Sequence, residues 1–281
     1  MTVTAGTVSE ALSAASDALE AAEVDTPPLD AEVMLAEAMG VSTAALRAGS
    51  EGGVSPAAAR QFGAMVRRRV QREPIAYIVG RRWFRRIQVH VDQRVLIPRP
   101  ETELLVEVAV ELRPSTVLDI GTGSGAIALA IADELGEVAV RGTDTSAAAL
   151  DVARANADRL GLTDRCEFQL ADASSWRYAP TSRMWDLVIA NLPYVPDGDW
   201  QRLQPEIRNF EPREAVLGGP DGLDHIRALL ASPPDCQAIA LEVGMGQAEA
   251  VEKLVEAAGF GSLERRKDLA GIDRVVLGRS R

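Results

Sequence analysis

The apolar positions in the first 73 residues recur at helical spacing. Thr7 and Glu10, three residues apart, form a capping-box pattern before a first amphipathic stretch. Three more helices are predicted: one at residues 29–39 after a break at a double proline, a short one after Ser42, and one after Ser55. Residues 1–73 are therefore predicted to form a small all-helical domain without a catalytic group of its own.

The fourth of these helices carries both an apolar stripe and a basic run. Phe62, Val66 and Val70 recur every four residues and are predicted to be buried. Residues 67–69 are three consecutive arginines, which could contact an acidic partner. A solvated helix face is the favoured interpretation of this basic run.

A different pattern occupies residues 74–95. Apolar residues alternate at Ile75, Tyr77 and Val79, and again over residues 87–91. Alternation is typical of strands, so this stretch is predicted to be an extended hairpin or linker between two domains.

Residues 96–281 alternate between short apolar runs and helical segments. The predicted strands of this region are residues 116–120, 138–143, 165–170, 186–190 and 238–243, and a helix is predicted after most of them. Such alternation requires a mainly parallel sheet with helices on both faces. Two last strands, at residues 262–267 and 273–278, are predicted to close the α/β domain as a hairpin.

Composition and charge narrow the class of protein. A hydrophobic content of 47% and a charged content of 25% are ordinary for a soluble globular chain of 281 residues. The net charge of -11 argues against nonspecific nucleic-acid binding, although a local basic patch stays open. Cys166 and Cys236 are too few for a disulfide framework, and no run reaches membrane-spanning length, so a cytoplasmic protein is expected. His90 has no second histidine nearby, and no metal site is predicted.

A glycine-rich loop follows the first strand of the predicted sheet. Its residues are Gly121, Thr122, Gly123, Ser124 and Gly125. Glycines let the backbone approach a ligand with no Cβ in the way. The spacing differs from the dinucleotide pattern Gly-x-Gly-x-x-Gly. The loop therefore predicts a nucleoside-containing cofactor without deciding which one.

Acidic residues lie in or after the neighbouring strands. Asp144, at the end of the second strand, is placed to accept hydrogen bonds from both ribose hydroxyls of such a cofactor. Asp172, at the end of the third, could accept from an adenine amino group or cap the next turn, and cofactor contact is favoured. Asp119, inside the first strand, could contact the cofactor's amino group, but a structural role in orienting the glycine loop is preferred.

The strand at residues 186–190 ends at the tetrad Asn191, Leu192, Pro193 and Tyr194. The Asn191 side-chain oxygen and the Leu192 carbonyl can each accept one N–H of a planar NH2 group. Pro193 restricts the residue before it to an extended conformation, and Tyr194 offers a flat face for stacking. The tetrad therefore predicts methylation of an amide or amine nitrogen, with S-adenosylmethionine as donor. The alternative is a turn that only caps the strand.

Residues 97–103 read Ile-Pro-Arg-Pro-Glu-Thr-Glu. The two prolines fix an extended approach, and the acidic residues open a helix. The segment is either a rigid connector or a wall of the site, with Arg99 as a fixed cation near a carboxylate. The residues alone do not separate these two interpretations.

Together these motifs resemble those of a known family. The glycine loop, Asp144 and the tetrad are similar to class I S-adenosylmethionine-dependent methyltransferases that act on amino nitrogens. Further motifs narrow the resemblance to the bacterial peptide chain release factor glutamine methyltransferases: residues 72–80, 97–103, 210–213, 218–224 and 273–276.

The resemblance implies a fold, a donor, a substrate and a set of site residues. The fold would be a Rossmann-like class I sheet, and the helical domain of residues 1–73 would bind the substrate. The residues implied to bind S-adenosylmethionine are those of the glycine loop with Asp144, Asp172, Ala173 and Asn191. The implied substrate is the glutamine of a release factor's Gly-Gly-Gln loop, held by Asn191, Leu192, Pro193 and Tyr194 with Arg99, and the residues implied in catalysis are Asn191, Pro193 and Tyr194. No nucleic-acid or membrane partner is expected, and a monomer is the simplest expectation.

Two positions depart from the family pattern. Leu192 stands where the family tetrad usually has its first proline, which frees φ, restores an N–H and should make the loop less rigid. Asn-Leu-Pro-Tyr also occurs in ribosomal RNA adenine dimethylases, so an adenine-amino methyltransferase of RNA or DNA stays an alternative, as does a glutamine methyltransferase of a ribosomal protein. Ala173 stands where some relatives have a tryptophan that would stack on the adenine.

Overall fold

The structure, a computed structural model, describes residues 6–49, 52–171 and 184–280 and divides into two compact units. One unit contains the described residues up to Gly80 together with Gln204–Phe210, and the other contains the rest. Among the described residues, no helix combines the length and the apolar character needed to cross a bilayer.

The first unit is helical, as predicted. Its first five helices are α1 (Val8–Ala21), α2 (Pro27–Met39), α3 (Thr43–Ala48), α4 (Pro56–Val70) and α5 (Ile75–Val79). The predicted capping box of α1 is present, because Thr7 N donates to Glu10 Oε2 at 2.8 Å and Glu10 N donates to Thr7 Oγ1 at 3.2 Å. Ser42 and Ser55 also accept backbone N–H groups as caps, of α3 and α4. The double proline does not break the chain before α2 but forms its first turn, where a missing N–H costs nothing.

The strand predicted at residues 75–79 is wrong, because this segment is helix α5. Pro74 precedes it with φ −56°, and Gly80 ends it in the left-handed conformation with φ 72°. Five apolar residues cannot be assigned to a strand or a short helix by periodicity alone, and the flanking proline and glycine decide for the helix.

Two predictions about helix α4 also need correction. Phe62 is buried as expected, but Val66 is only partly buried and Val70 is 39% exposed. The solvated face expected for residues 67–69 does not include Arg69, which is 5% exposed and paired with Asp30 at 2.6 Å. The helix therefore turns a charged residue, rather than Val70, into the interior of the unit.

The second unit begins with a hairpin and continues into one large sheet. Strands β1 (Arg81–Phe84) and β2 (Ile87–His90) pair antiparallel, so the extended prediction holds for this part of residues 74–95. The strands of the large sheet are β3 (Thr116–Ile120), β4 (Ala139–Asp144), β5 (Cys166–Leu170), β6 (Trp185–Ala190), β7 (Cys236–Glu242), β8 (Phe260–Lys267) and β9 (Asp273–Ser280).

Strand pairing confirms the predicted α/β class. The order across the sheet is β5-β4-β3-β6-β7-β9-β8. Strands β3 to β7 pair parallel, and β9 runs antiparallel to both β7 and β8. This is the mostly parallel, Rossmann-like sheet with an antiparallel C-terminal hairpin that the resemblance implied.

The position of the functional loops follows from this order. The chain adds β4 and β5 on one side of β3, and then β6 and β7 on its other side. Strands β3 and β6 are therefore neighbours at the point where the order reverses, which is where open α/β sheets bind ligands. Because Ile120 pairs with Ala190, Gly121 and Asn191 begin adjacent loops at the same edge.

Helices flank the sheet and complete its core. Those of the second unit are α6 (Glu103–Leu112), α7 (Ala126–Leu135), α8 (Ala147–Leu160), α10 (Asp224–Leu230) and α11 (Ala248–Ala257), while α9 (Pro205–Phe210) belongs to the helical unit. Leu118 and Ile120 of β3 lie in one buried cluster with Ile226 of α10 and Val251 of α11. Successive strand residues face opposite sides, so Asp119 lies on the other face.

Candidate active site

An open cavity of about 950 Å³, counting its mouth, lies at the ends of β3 and β6. The predicted site residues that line it are Gly121, Gly123, Asp144, Asn191, Leu192 and Pro193. The glycine loop, the acidic residue after the second strand and most of the tetrad thus surround one space.

The glycine loop is held open by its backbone. Gly121 and Gly123 have φ of 75° and 55°, a region that side chains other than glycine rarely adopt. Gly121 N donates to Thr143 O at 2.8 Å, and a Cβ added at Gly123 would meet no atom within 4 Å. The loop therefore presents bare backbone to open space, as a nucleoside cofactor requires.

The Asp144 carboxylate is fixed by two backbone donors. Gly123 N donates to its Oδ2 and Ser146 N to its Oδ1, each at 2.9 Å. A carboxylate oxygen has two lone pairs, so each oxygen can still accept a hydroxyl from a ligand in the cavity. Asp144 is thus oriented without being saturated.

The rest of the glycine loop faces the protein interior. Thr122 and Ser124 are buried, and a Cβ at Gly125 would crowd Leu129, Ala153 and Phe168. These three loop residues shape the turn and do not line the cavity.

Asp119 holds the glycine loop in place, in agreement with the structural role preferred for it. It is fully buried and accepts a hydrogen bond from Thr122 Oγ1 at 2.6 Å. Burial raises its pKa to about 7, the Thr122 hydroxyl lowers it, and the Asp144 charge adds to the rise.

The Leu192 side chain is buried in the protein. It is 6% exposed and packs in the buried cluster behind the sheet. A Cβ at Gly121 would lie 3.2 Å from Leu192 Cδ2, so the leucine and the first glycine of the loop fit against each other. The packing anchors the tetrad at the position where the family pattern has proline.

The polar side chains of the tetrad have partners that sequence reasoning missed. Asn191 Nδ2 donates to Thr102 Oγ1 at 3.0 Å, and the Tyr194 hydroxyl donates to Glu242 Oε1 at 3.2 Å. Burial and the nearby Glu242 charge raise the pKa of the Tyr194 phenol well above its usual value. Tyr194 is therefore neutral and is not a general base. It does not line the cavity described above.

Glu242, the last residue of β7, is 1% exposed. Its burial raises its pKa to about 7, while hydrogen bonding by Thr102 and Tyr194 lowers it. Its Oε2 is buried and has no partner of ordinary hydrogen-bond geometry within the described part of the chain.

A glycine-rich segment at residues 218–222 supports the backbone of the tetrad. Gly218 N donates to Val195 O at 2.9 Å, and Gln247 Nε2 donates to Tyr194 O at 2.9 Å. A Cβ at Gly218 would lie 2.5 Å from Pro193 O, and one at Gly222 would overlap Tyr194 O. Only glycine allows this close approach, which explains the motif at residues 218–224.

Arg99 has a carboxylate partner, Glu211. An Arg99 Nη2 hydrogen bond to Glu211 Oε1 and an Ile97 N–H bond to Oε2 at 3.0 Å join the motifs at residues 97–103 and 210–213. Arg99 does not line the cavity. The structure thus shows the fixed cation near a carboxylate, and the pair also ties the segment down as a connector would.

Several lining residues were not among the predicted site residues. They are Arg94, Val95, Leu96, Thr145, Ser146, Ala149, Ala171, Pro212, Glu214, Ala215 and His225. Pro212 lies in the motif at residues 210–213, and Thr145 and Ser146 directly follow Asp144, so their neighbourhood pointed to the site. Asp172 and Ala173, both predicted to bind the donor, lie outside the described residues.

Solved structures of other methyltransferases share the fold over much of this chain. The catalytic domain of human METTL16, solved with a 3′UTR hairpin, has a TM-score of 0.57 at 13% identity and covers 68% of this chain and 74% of its own. At this identity the likeness concerns the fold.

Family models match both parts of the chain. The model described as "PrmC N-terminal domain" matches residues 10–80, and "Methyltransferase domain" matches residues 117–210.

Curated relatives match nearly the whole length. Release factor glutamine methyltransferase of Caulobacter vibrioides is 38% identical over 97% of this chain and 96% of its own. The enzyme of the same name from Cereibacter sphaeroides is 41% identical over 96% of this chain and 97% of its own. Similarity at this level along both chains shows common descent of the entire protein, so the chain belongs to the release factor glutamine methyltransferase family.

Proposed function

We propose that this protein methylates the side-chain amide nitrogen of the glutamine in the Gly-Gly-Gln motif of a peptide chain release factor, with S-adenosylmethionine as donor. The observation that carries the proposal is the placement of Asn191, held by Thr102, on the same cavity as Asp144 and the glycine loop. The full-length similarity to release factor glutamine methyltransferases supports the choice of substrate.

The donor side of the site is assigned to the glycine loop and Asp144. S-adenosylmethionine supplies a methyl group on an electrophilic sulfonium. Gly121 and Gly123 line the cavity, and the Asp144 oxygens keep lone pairs for the two ribose hydroxyls. Asp172 and Ala173 are proposed to contact the adenine.

The substrate side is assigned to the tetrad. An amide nitrogen is a poor nucleophile because its lone pair is delocalised into the carbonyl. Asn191 Oδ1 and the Leu192 carbonyl would each accept one N–H of the glutamine amide, which orients the nitrogen and increases its electron density. Pro193 aims the Leu192 carbonyl, Tyr194 offers its ring face, and Arg99 is proposed to contact the substrate from the adjoining segment.

Positioning is expected to supply most of the catalysis. The Tyr194 phenol is neutral, so this residue offers no strong base. Orientation of two reactants can contribute roughly 7–11 kcal/mol to lowering a barrier. In this proposal the helical domain of residues 1–73 binds the release factor, and the protein acts in the cytoplasm as a monomer without direct contact to nucleic acid.

A substrate panel tests the proposal. The protein is incubated with labelled S-adenosylmethionine and, in separate reactions, with purified release factor, ribosomal proteins, RNA and DNA. Label is expected in release factor. Label in ribosomal protein alone would move the activity to the alternative glutamine substrate, and label in nucleic acid alone would refute glutamine methylation.

A further inference from the structure

The side chain of Asn191 is the end of a buried polar chain. Its Nδ2 donates to Thr102 Oγ1, and Thr102 is 3% exposed. The Thr102 hydroxyl lowers the pKa of Glu242, whose Oε1 accepts from the Tyr194 hydroxyl. The buried Oε2 of Glu242 has no partner of ordinary geometry among the described residues, which leaves it as an acceptor for the Thr102 proton. Glu242 thus lies behind both polar side chains of the tetrad, on a strand that contributes nothing to the cavity lining.

An ionised Glu242 favours one arrangement of the donors and acceptors in this series of polar side chains. An ionised carboxylate only accepts, and each hydroxyl has a single proton. If the protons of Thr102 and Tyr194 both go to Glu242, the Thr102 oxygen offers only lone pairs toward Asn191. The asparagine must then turn its NH2 group to Thr102, which leaves Oδ1 as the end of the amide that can accept from a ligand.

The opposite arrangement would disable the site. If the Thr102 proton turned toward Asn191, the amide would present its NH2 group to the substrate. An NH2 group cannot accept the N–H bonds of a glutamine amide, so two donors would face each other.

We propose that Glu242, acting through Thr102, is a positioning residue that fixes the Asn191 amide with its oxygen toward the substrate amide. The inference rests on the proposed function, since it assigns the direction of a hydrogen bond to the glutamine. Glu242 touches neither substrate nor donor, and its effect is to set the polarity of the chain.

The protonation state of Glu242 should control this polarity. Besides Thr102 and Tyr194, the charged groups that act on it are Glu101, which raises its pKa, and Arg274, which lowers it. With a pKa of about 7 set mainly by burial, Glu242 gains a proton as the pH falls through neutrality. Protonated Glu242 can no longer accept hydrogen bonds from both hydroxyls, so the Thr102 hydroxyl is free to turn its proton toward Asn191. Because the ionised form holds the productive arrangement, turnover should rise as the pH increases through about 7.

Two variants of Thr102 give a matched test. Thr102→Val keeps the shape and loses the hydroxyl, whereas Thr102→Ser keeps the hydroxyl. The Thr102 side chain makes no cap hydrogen bond to helix α6, so neither change removes a helix cap. Thr102→Val should lower kcat for release factor about 10- to 100-fold, the range expected for a misplaced reacting group, with donor Kd unchanged. Thr102→Ser should retain most of the turnover.

Glu242→Gln provides the second readout. It should lower kcat and flatten the pH profile near neutrality, because a glutamine side chain cannot lose a proton there. Asp119 also has a pKa of about 7, so Asp119→Asn is the control and should leave the rise in turnover with pH in place. Equal kcat for Thr102→Val and Thr102→Ser would overturn the inference. An unchanged pH profile in Glu242→Gln would also overturn it, and this second test remains if a Thr102 variant fails to fold.

Side-chain NMR separates this inference from the proposed function. The Asn191 NH2 protons should exchange slowly with solvent in the wild type and Thr102→Ser, and at least tenfold faster in Thr102→Val. This readout needs no substrate, so it decides the positioning role even if release factor is not methylated. Equal exchange in all three proteins would refute the role, whereas slow exchange together with no methylation of release factor would refute the function alone.

Discussion

Two side chains on the cavity are expected to serve different partners. Asp144 is oriented by the N–H groups of Gly123 and Ser146, and keeps acceptor capacity for a ribose. Asn191 is oriented by Thr102 and keeps its oxygen for an amide. Donor binding and turnover should therefore respond to different substitutions.

Asp144→Ala should weaken S-adenosylmethionine binding at least about tenfold, since hydrogen bonds to a charged group contribute about 1.5–3 kcal/mol. Isothermal titration calorimetry measures the change. Asp144→Asn keeps one acceptor oxygen, so its affinity for S-adenosylmethionine should lie between that of the wild type and that of Asp144→Ala. Unchanged affinity in Asp144→Ala would mean that the ribose contact is assigned to the wrong residue.

Asn191→Ala should keep donor affinity within about twofold and lower kcat about 100- to 1,000-fold, as removal of a preorganised polar contact at a reacting group does. Calorimetry and single-turnover methyl transfer report the two quantities separately. Undiminished transfer would refute the proposed hydrogen bond from the substrate amide to Asn191.

Sequence reasoning found the local part of this site and missed its long-range part. Asn191 and Gly121 were predicted because each directly follows an apolar strand, and strand ends are visible in the chain. Thr102 lies 89 residues from Asn191, and only the folded sheet brings the two together. The motif containing Thr102 was recognised, but its function was sought in Arg99, which pairs with Glu211 instead of lining the cavity.

Among the structural elements, the segment at residues 218–222 fixes the position of the tetrad. Leu217, the residue before this segment, forms an isolated parallel bridge with Val195. A Cβ added at Gly218 or at Gly222 would collide with the carbonyl oxygen of Pro193 or of Tyr194, respectively. The tetrad loop can remain in place without the usual proline at Leu192 because it is packed from both sides.

Gly222→Ala tests this support. Gly222 and Gly271 share a φ of 79°, but a Cβ at Gly222 would overlap Tyr194 O whereas one at Gly271 would meet nothing within 4 Å. Both alanine variants bear the same backbone strain, so Gly222→Ala should cost about 1–3 kcal/mol more in the free energy of unfolding, the usual penalty of overpacking. Urea denaturation measures the stability, and turnover should fall only in Gly222→Ala. Equal behaviour of the two variants would contradict the supporting role.

Elements were predictable where one pattern dominated. The central parallel strands β3, β6 and β7 are mainly apolar runs because both of their faces are buried, and the alternation of strands with helices predicted the sheet. The prediction for helix α5 was wrong because its alternating apolar residues resemble a strand. The deciding signals, Pro74 and Gly80, lie outside the apolar run. The antiparallel pairing of β8 and β9 followed from their closeness in sequence.

At the scale of the whole molecule, the chain leaves the helical unit after Gly80 and returns to it for Gln204–Phe210. In that returning segment Glu206 accepts from Arg69 Nη1 at 2.8 Å and from Arg72 Nε at 2.7 Å. Arg69 also pairs with buried Asp30. No periodicity in the sequence reveals this cluster, because its members are distant in the chain and charged.

Arg69→Ala should destabilise the helical unit by about 3–5 kcal/mol, since it leaves the buried Asp30 carboxylate without its cation. Arg47→Ala is the matched control, because Arg47 pairs with Glu32 on the same unit but is 62% exposed, and it should change stability little. Thermal or urea unfolding followed by circular dichroism gives the comparison. Equal stability of the two variants would show that the buried cluster is not needed for folding.

Locating the transferred methyl group tests the proposed glutamine methylation most directly. Release factor is incubated with this protein and labelled S-adenosylmethionine, digested, and sequenced by tandem mass spectrometry. One methyl group on the side-chain nitrogen of the Gly-Gly-Gln glutamine is expected, and none when Asn191→Ala replaces the wild type. A methyl group on any other residue, or no methylation of release factor at all, would contradict the proposed function.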